Sequence, residues 1–162
     1  MAYVDNKVKE LKDSGVYGSQ RVDSDVIKRI LNMEEWEYLG IDPLTLESYL
    51  GLLSQQAMYV QQEVNIAEAR EIELGNNFKL EALPLVVDTK IRSVEERWLF
   101  ATTLSDGLKL KYDLWQQAII DYTLKKNLSS PITEKINVLK KIYDDRRLEG
   151  NNKNIHKYTE GK

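Results

Sequence analysis

The residues of this chain with the strongest claim to chemistry are a run of cations. Lys125, Lys126, Lys135, Lys140, Lys141, Arg146 and Arg147 face only Glu134, Asp144 and Asp145. Binding phosphates takes several cations on one contiguous surface, and on a helix Lys140, Lys141, Arg146 and Arg147 fall on successive turns. Tyr143 lies among them, and an aromatic ring beside cations is a stacking platform for an unpaired base. Lys125, Lys126, Lys140, Lys141, Tyr143, Arg146 and Arg147 are therefore candidate contacts for single-stranded DNA. A solvated face is the competing reading, because cations near a helix C-terminus interact favourably with its macrodipole and opposite charges on facing helices set their orientation.

Other chemistry finds less support. Glu34 with Glu35, Glu95 with Glu96, and Asp144 with Asp145 could in principle do acid/base work or hold magnesium. Adjacent positions on a helix point apart, so solvated or capping roles are the better account. The chain has no cysteine, which excludes disulfides, thiolate zinc sites and a cysteine nucleophile, and the single His156 cannot alone build a histidine metal site. There is no glycine-rich phosphate loop. Trp98, Tyr112, Trp115 and Tyr122 fall where a helical core needs them. No cofactor, metal or catalytic residue is expected, and the chain reads as a binding protein rather than an enzyme.

With 23 basic and 26 acidic residues the net charge is −3, so nothing draws the whole molecule to nucleic acid and any basic footprint must be local. Residues 43–88 hold two basic residues, Arg70 and Lys79, against seven acidic ones. From Thr89 onward fifteen basic residues face ten acidic ones, so the two segments carry −5 and +5. No run of apolar residues is long enough to span a bilayer, and MAYVDNKVKELK lacks the apolar stretch of a signal peptide. No membrane association is expected, and the compartment implied is the cytoplasm, that of the host if the chain is of phage origin.

The elements that must position these residues are all helices. At 162 residues one core is expected, and 42% hydrophobic with 30% charged residues fits long helices with one buried stripe in an elongated molecule. Residues 1–41 read as an N-terminal arm, of which residues 1–22, mixing charges with Ser14, Gly15 and Gly18, are expected to be mobile. It carries at most one short helix around residues 4–11, then a second one capped by Ser24 with Val26, Ile27, Ile30 and Leu31 on one face. Trp36, Tyr38 and Leu39 add apolar weight before Gly40.

Residues 42–149 form the predicted hairpin. Asp42 can cap, Pro43 fits the first helical position, and Ile41 and Leu46 have the spacing of a hydrophobic staple. Leu46, Leu50, Leu53, Ala57, Val60, Val64, Ala67, Glu71, Leu74 and Phe78 then step alternately by four and three, a repeat that implies a left-handed supercoil. Gly75, Asn76 and Asn77 are a weak point where the helix could end or loosen, although Phe78 keeps the phase and favours continuation, and Pro84 should stop the helix by about Ala82 or Leu83. Ser93 and Glu96 have capping-box spacing, opening a second long helix with a matching seam of Val94, Trp98, Ala101, Ser105, Leu108, Tyr112, Trp115, Ile119 and Tyr122. A short connector between the two favours antiparallel neighbours. Ser130 and Pro131 look like a further cap and first turn, opening a segment with Ile132, Ile136, Leu139, Ile142 and Tyr143 that either kinks off the second helix or continues its line. Residues 150–162 are polar and aperiodic and are expected to be a disordered tail.

Apolar residues also flank the seams, at Tyr49, Leu52, Tyr59, Ile66, Leu99, Phe100, Leu104, Leu114 and Ala118. Leaving such side chains wet forgoes roughly 1.5 to 3 kcal/mol each, which favours a homo-oligomer over a monomeric bundle closed by the shorter segments.

LTLESYLGLLSQQAMYVQQEV, the Ser-Val-Glu-Glu restart at residues 93–96, LKLKYDLWQQAIIDYTLKK and INVLKKIYDDRR resemble the phage recombination mediators of the UvsY type over residues 44–150. The likeness implies a small, helical, oligomeric protein that binds single-stranded DNA, contacts a single-strand-binding protein and helps a recombinase load. It also implies that Lys140, Lys141, Arg146 and Arg147 are the DNA contacts, with Lys125 and Lys126 in support. The acidic total and the first forty residues depart from the family. The alternative is a structural or adaptor coiled-coil protein, a virion component or an inhibitor of a host protein, acting through protein contacts.

Overall fold

The computed structural model describes residues 2–13 and 21–159 and is all-α, a helical hairpin with shorter helices around it. Ser14, Gly15 and Gly18 of the N-terminal arm, and residues 160–162 of the expected tail, lie outside the described residues. The helices are α1 (Ala2–Asp13), α2 (Ser24–Asn32), α3 (Glu35–Tyr38), α4 (Pro43–Val86), α5 (Val94–Leu104) and α6 (Asp106–Thr159). They fall into two compact units: Met1–Gly18 with Gln61–Asn127, and Ser19–Val60 with Leu128–Lys162. Both long helices belong partly to each.

In the first unit the later part of α4 meets the earlier part of α6. Contacts run from Glu63 to Lys125, Glu68 to Tyr122, Glu71 to Trp115 and Glu81 to Lys111, so one number rises as the other falls and the pair is antiparallel. Val64, Ala67 and Phe78 of the predicted seam are buried, as are Ala101 and Leu108 of its partner. Phe78 is the hub, with Trp98 edge-on at 5.8 Å, Tyr112 edge-on at 5.2 Å and Trp115 stacked at 5.8 Å. Aromatic pairs in such geometries add about 0.5 to 1.5 kcal/mol beyond the area they bury.

The helix continues through Gly75, as the phase kept by Phe78 favours, while two other expectations need correction here. A Cβ at that position would stand 2.7 Å from Nε1 of Trp115, so glycine is what lets the indole lie against α4. The first is that Pro84 does not end the helix. Its ring forfeits one backbone hydrogen bond, but Ala82 and Val86 on either side are buried and hold the last turn in place. The turn closes when the Thr89 hydroxyl and amide both donate to the carbonyl of Val86, at 2.8 and 3.2 Å.

The second correction is a break at Ser105, a position that the four-three seam runs through. Its backbone is extended (φ −161°, ψ 137°), and its Oγ accepts from the amides of Gly107 at 3.1 Å and Leu108 at 3.4 Å. Ser105 is therefore a helix cap, and α6 starts immediately after it. Upstream, Ser93 accepts from the Glu96 amide at 3.3 Å as expected, but the carboxylate that meets Ser93 is that of Glu95, which receives the serine hydroxyl at 3.0 Å.

In the second unit, Asp23 rather than Ser24 caps α2, its carboxylate accepting from the Asp25 amide at 2.9 Å. Ile27 and Ile30 are buried, Leu31 is half-buried and Val26 is exposed. Asp42 caps α4 as predicted: Oδ1 accepts from the Thr45 amide at 3.0 Å and Oδ2 from the Thr45 hydroxyl at 2.6 Å. These bonds, the side-chain one first, lower the Asp42 pKa. Leu46, Leu53 and Val60 are buried along α4, and Ile132, Ile136, Leu139 and Ile142 along α6. Ser130 and Pro131 do not restart a helix. Ser130 donates instead to Glu134 at 2.8 Å, and burial of Ile132 and Ile136 outweighs the bond that the proline ring removes.

Candidate nucleic-acid interface

The seven candidate residues all lie on α6, but in different units and in different states. Lys125 and Lys126 belong to the first unit; Lys140, Lys141, Tyr143, Arg146 and Arg147 belong to the second. Lys125 is drawn inward, with Nζ 2.9 Å from Asp121 and 3.6 Å from Glu63, and its side chain is only 24% exposed. Two carboxylates around one ammonium leave no surplus positive charge for a phosphate. Lys126 is exposed, its Nζ 5.5 Å from the ring centroid of Tyr122.

Arg146 is half-buried and serves the fold. Its guanidinium donates to the carbonyls of Tyr38, at 2.9 Å, and of Leu39 and Ile41. Those carbonyls end α3 and lead to the start of α4, where backbone acceptors have no helical partner. Lys135 does the same one helix earlier, donating to the carbonyl of Met33 at 2.7 Å and lying 5.2 Å from the ring centroid of Tyr38. Tyr38 itself is fully buried, donates its hydroxyl to Ile30, and has its pKa pushed up to about 12, chiefly by burial.

That leaves Lys140, Lys141 and Arg147, which are exposed and form no ion pair within 4 Å among the described residues. Lys140 and Arg147 are seven residues apart and share a face, with Asp144 between them; Lys141 and Asp145 share the next. Tyr143 is half-buried beside them. Lys141 also borders an open cavity of about 330 Å³ with Glu35, Leu39, Asp145 and Arg146. The surface is thus a set of three solvated cations with two carboxylates interleaved, smaller than the run of charge in the sequence suggests.

A second surface was only half legible. In the first unit Asn76, Lys79, Leu80, Leu83 and Trp98 line an apolar cavity of about 490 Å³. Leu80 and Leu83 stand 73% and 53% exposed. Leu99, Phe100 and Leu104 of α5 are exposed as well, as the flanking-residue pattern indicates. Leu80 and Leu83 escaped notice because the helix was taken to end near them.

Fold and surface together define an all-α helical-hairpin protein. No family model, no curated protein and no solved structure matches the chain. Among the described residues no helix is long and apolar enough to cross a membrane, and no group of three or more His, Cys, Asp or Glu side chains could hold a metal.

Proposed function

We propose that this chain is an accessory protein of DNA recombination or replication, of the phage mediator type, which binds single-stranded DNA as a homo-oligomer and assists the loading of a recombinase. One observation carries the reading: Lys140, Lys141 and Arg147 remain solvated within two turns of α6, while Lys125, Lys135 and Arg146 are held by internal partners. Solvated cations bind phosphates by releasing counterions, with a salt slope of about −0.7 per phosphate on a single strand. Three contacts per chain are too few for tight binding, so repetition of the patch along a strand is part of the proposal. Partner contacts with the recombinase or a single-strand-binding protein belong to the same reading.

The experiment is a salt titration of affinity for an unstructured oligonucleotide, with the natural chain and with Lys140→Ala/Lys141→Ala/Arg147→Ala. Affinity should fall steeply with salt, and the triple variant should flatten the slope by about 2. Binding that is absent, or that ignores salt, removes the proposal.

The exposed Leu80, Leu83, Leu99, Phe100 and Leu104 favour a second reading, an adaptor that works through protein contacts. In that case the triple variant keeps its partner and a Leu80→Asp/Leu83→Asp variant loses it.

A further inference from the structure

Helix α1 rests on the first unit with few contacts. Among its described side chains none is buried; only Val4, Asp5 and Val8 are half-buried, and at this spacing they form a single face. Asp5 meets Arg70 of α4, whose Nη2 and Nε both donate to Oδ1, at 2.7 and 3.1 Å. The two side chains are 41% and 38% exposed, so the pair is open to water and salt. Arg70 is one of only two basic residues in 43–88, a stretch with seven acidic ones, so it is one of two places there that suit an aspartate. Beside it the hairpin keeps an open cavity of about 240 Å³, walled by Ala67, Leu74, Leu114 and Ala118. An isolated helix of 12 residues is marginal in water, so α1 depends on this seat.

We propose that the seat at Arg70 is exchangeable, and that the α1 helix of a second copy occupies it, joining chains by trade of N-terminal helices. The contacts that hold α1 within a chain hold it equally between chains. Which arrangement prevails is set by protein concentration against the effective concentration of the tethered arm, in the millimolar range for a short link. The occupant is a second copy because this chain's own α1 already fills the seat, with Asp5 opposite Arg70. Exchange requires no DNA, so it stands or falls apart from the functional proposal.

The chain has no cysteine, which makes the test clean. One chain carrying Asp5→Cys is mixed with another carrying Arg70→Cys, without DNA, and oxidised; Lys9→Cys, on the exposed face of α1, replaces Asp5→Cys as the control. The Asp5/Arg70 pair should give a covalent heterodimer in excess of the control, with a yield that rises with protein concentration. In a second measurement, Asp5→Arg and Arg70→Asp each mismatch their own seat, and their equimolar mixture should form a heterodimer that neither chain forms alone, because each arm then matches only the other chain's seat. A heterodimer yield no higher than the control at every concentration, with a doubly substituted chain closing only on itself, overturns the exchange.

Discussion

Nε1 of Trp115 lies 2.7 Å from the point a Cβ on residue 75 would occupy, so these two residues fit only while position 75 is glycine. Glycine to alanine in a helix interior ordinarily gains up to about 1 kcal/mol. Here the indole has little room to retreat: it stacks on Phe78, meets Tyr112 edge-on at 5.9 Å, donates to Glu71 at 2.9 Å and lies under Lys79. Overpacking of this kind costs about 1 to 3 kcal/mol. Gly75→Ala is therefore expected to lower stability by about 1 kcal/mol, overriding its helix propensity. Urea unfolding followed by tryptophan fluorescence checks it, and a more stable variant would show that the indole does not lie against α4.

Arg146 and its neighbours should separate cleanly. Removing a charged donor leaves acceptors without partners, at about 1.5 to 3 kcal/mol for a hydrogen bond to a charged group. Arg146→Ala should therefore lose roughly 2 to 3 kcal/mol, because the carbonyls of Tyr38, Leu39 and Ile41 all lose a charged donor, that of Tyr38 keeping the Ile41 amide at 3.2 Å. Arg146→Lys should recover only part, since an ammonium cannot fork to three acceptors. Lys140→Ala, Lys141→Ala and Arg147→Ala should each stay within about 0.5 kcal/mol of the natural chain. Equal losses at all four positions in denaturant midpoints would contradict this division of labour.

Tyr38 gives the second unit an alkaline limit. Its folded pKa is raised to about 12, with burial the leading cause, against an ordinary tyrosine value near 10. A raised pKa means the folded state favours the neutral phenol, so the contribution is complete below pH 10 and is lost as pH climbs towards 12. Stability should decline across that window, and Tyr38→Phe, with nothing to ionise, should flatten the decline while losing its bond to Ile30. A pH titration of the unfolding midpoint tests this; an unchanged slope in the phenylalanine variant would show that Tyr38 does not set the limit.

What was legible in the sequence was the periodic part. The four-three seam of α4 is buried or half-buried from Leu46 to Phe78, and Asp42 and Ser93 cap as their spacing says. Local breakers misled, because their cost is small beside the burial of flanking side chains that only tertiary packing reveals. Pro84 predicts a stop and Pro131 a fresh first turn, yet the helices run through both, with Val86 and Ile132 buried beside them. Ser105 erred the other way: a seam position hid the Ser-Asp-Gly turn signal at 105–107. The charge patch was legible as composition only. Nothing in the spacing showed that Arg146 turns to Tyr38 and Lys125 to Glu63, because those partners are more than sixty positions away in the chain.

Pro131 offers a test that decides between two readings of α6. If a helix began there, proline would sit at the first helical position, where its missing amide has no partner to lose and its fixed φ helps. Replacing it with alanine would then destabilise. In the observed helix Asp106–Thr159, Pro131 lies in the interior, where a proline forfeits a backbone bond and crowds the preceding turn at about 3 kcal/mol. Alanine restores that bond, though it also frees the unfolded chain, which offsets about 0.4 to 1 kcal/mol. Pro131→Ala should therefore raise stability by roughly 2 kcal/mol and slow amide exchange at the residues that flank position 131. Lys140, Lys141 and Arg147 share a helix with Ile132 and Ile136 under either reading, so a destabilised variant would overturn the continuity of α6 through residue 131 and leave their common helix intact.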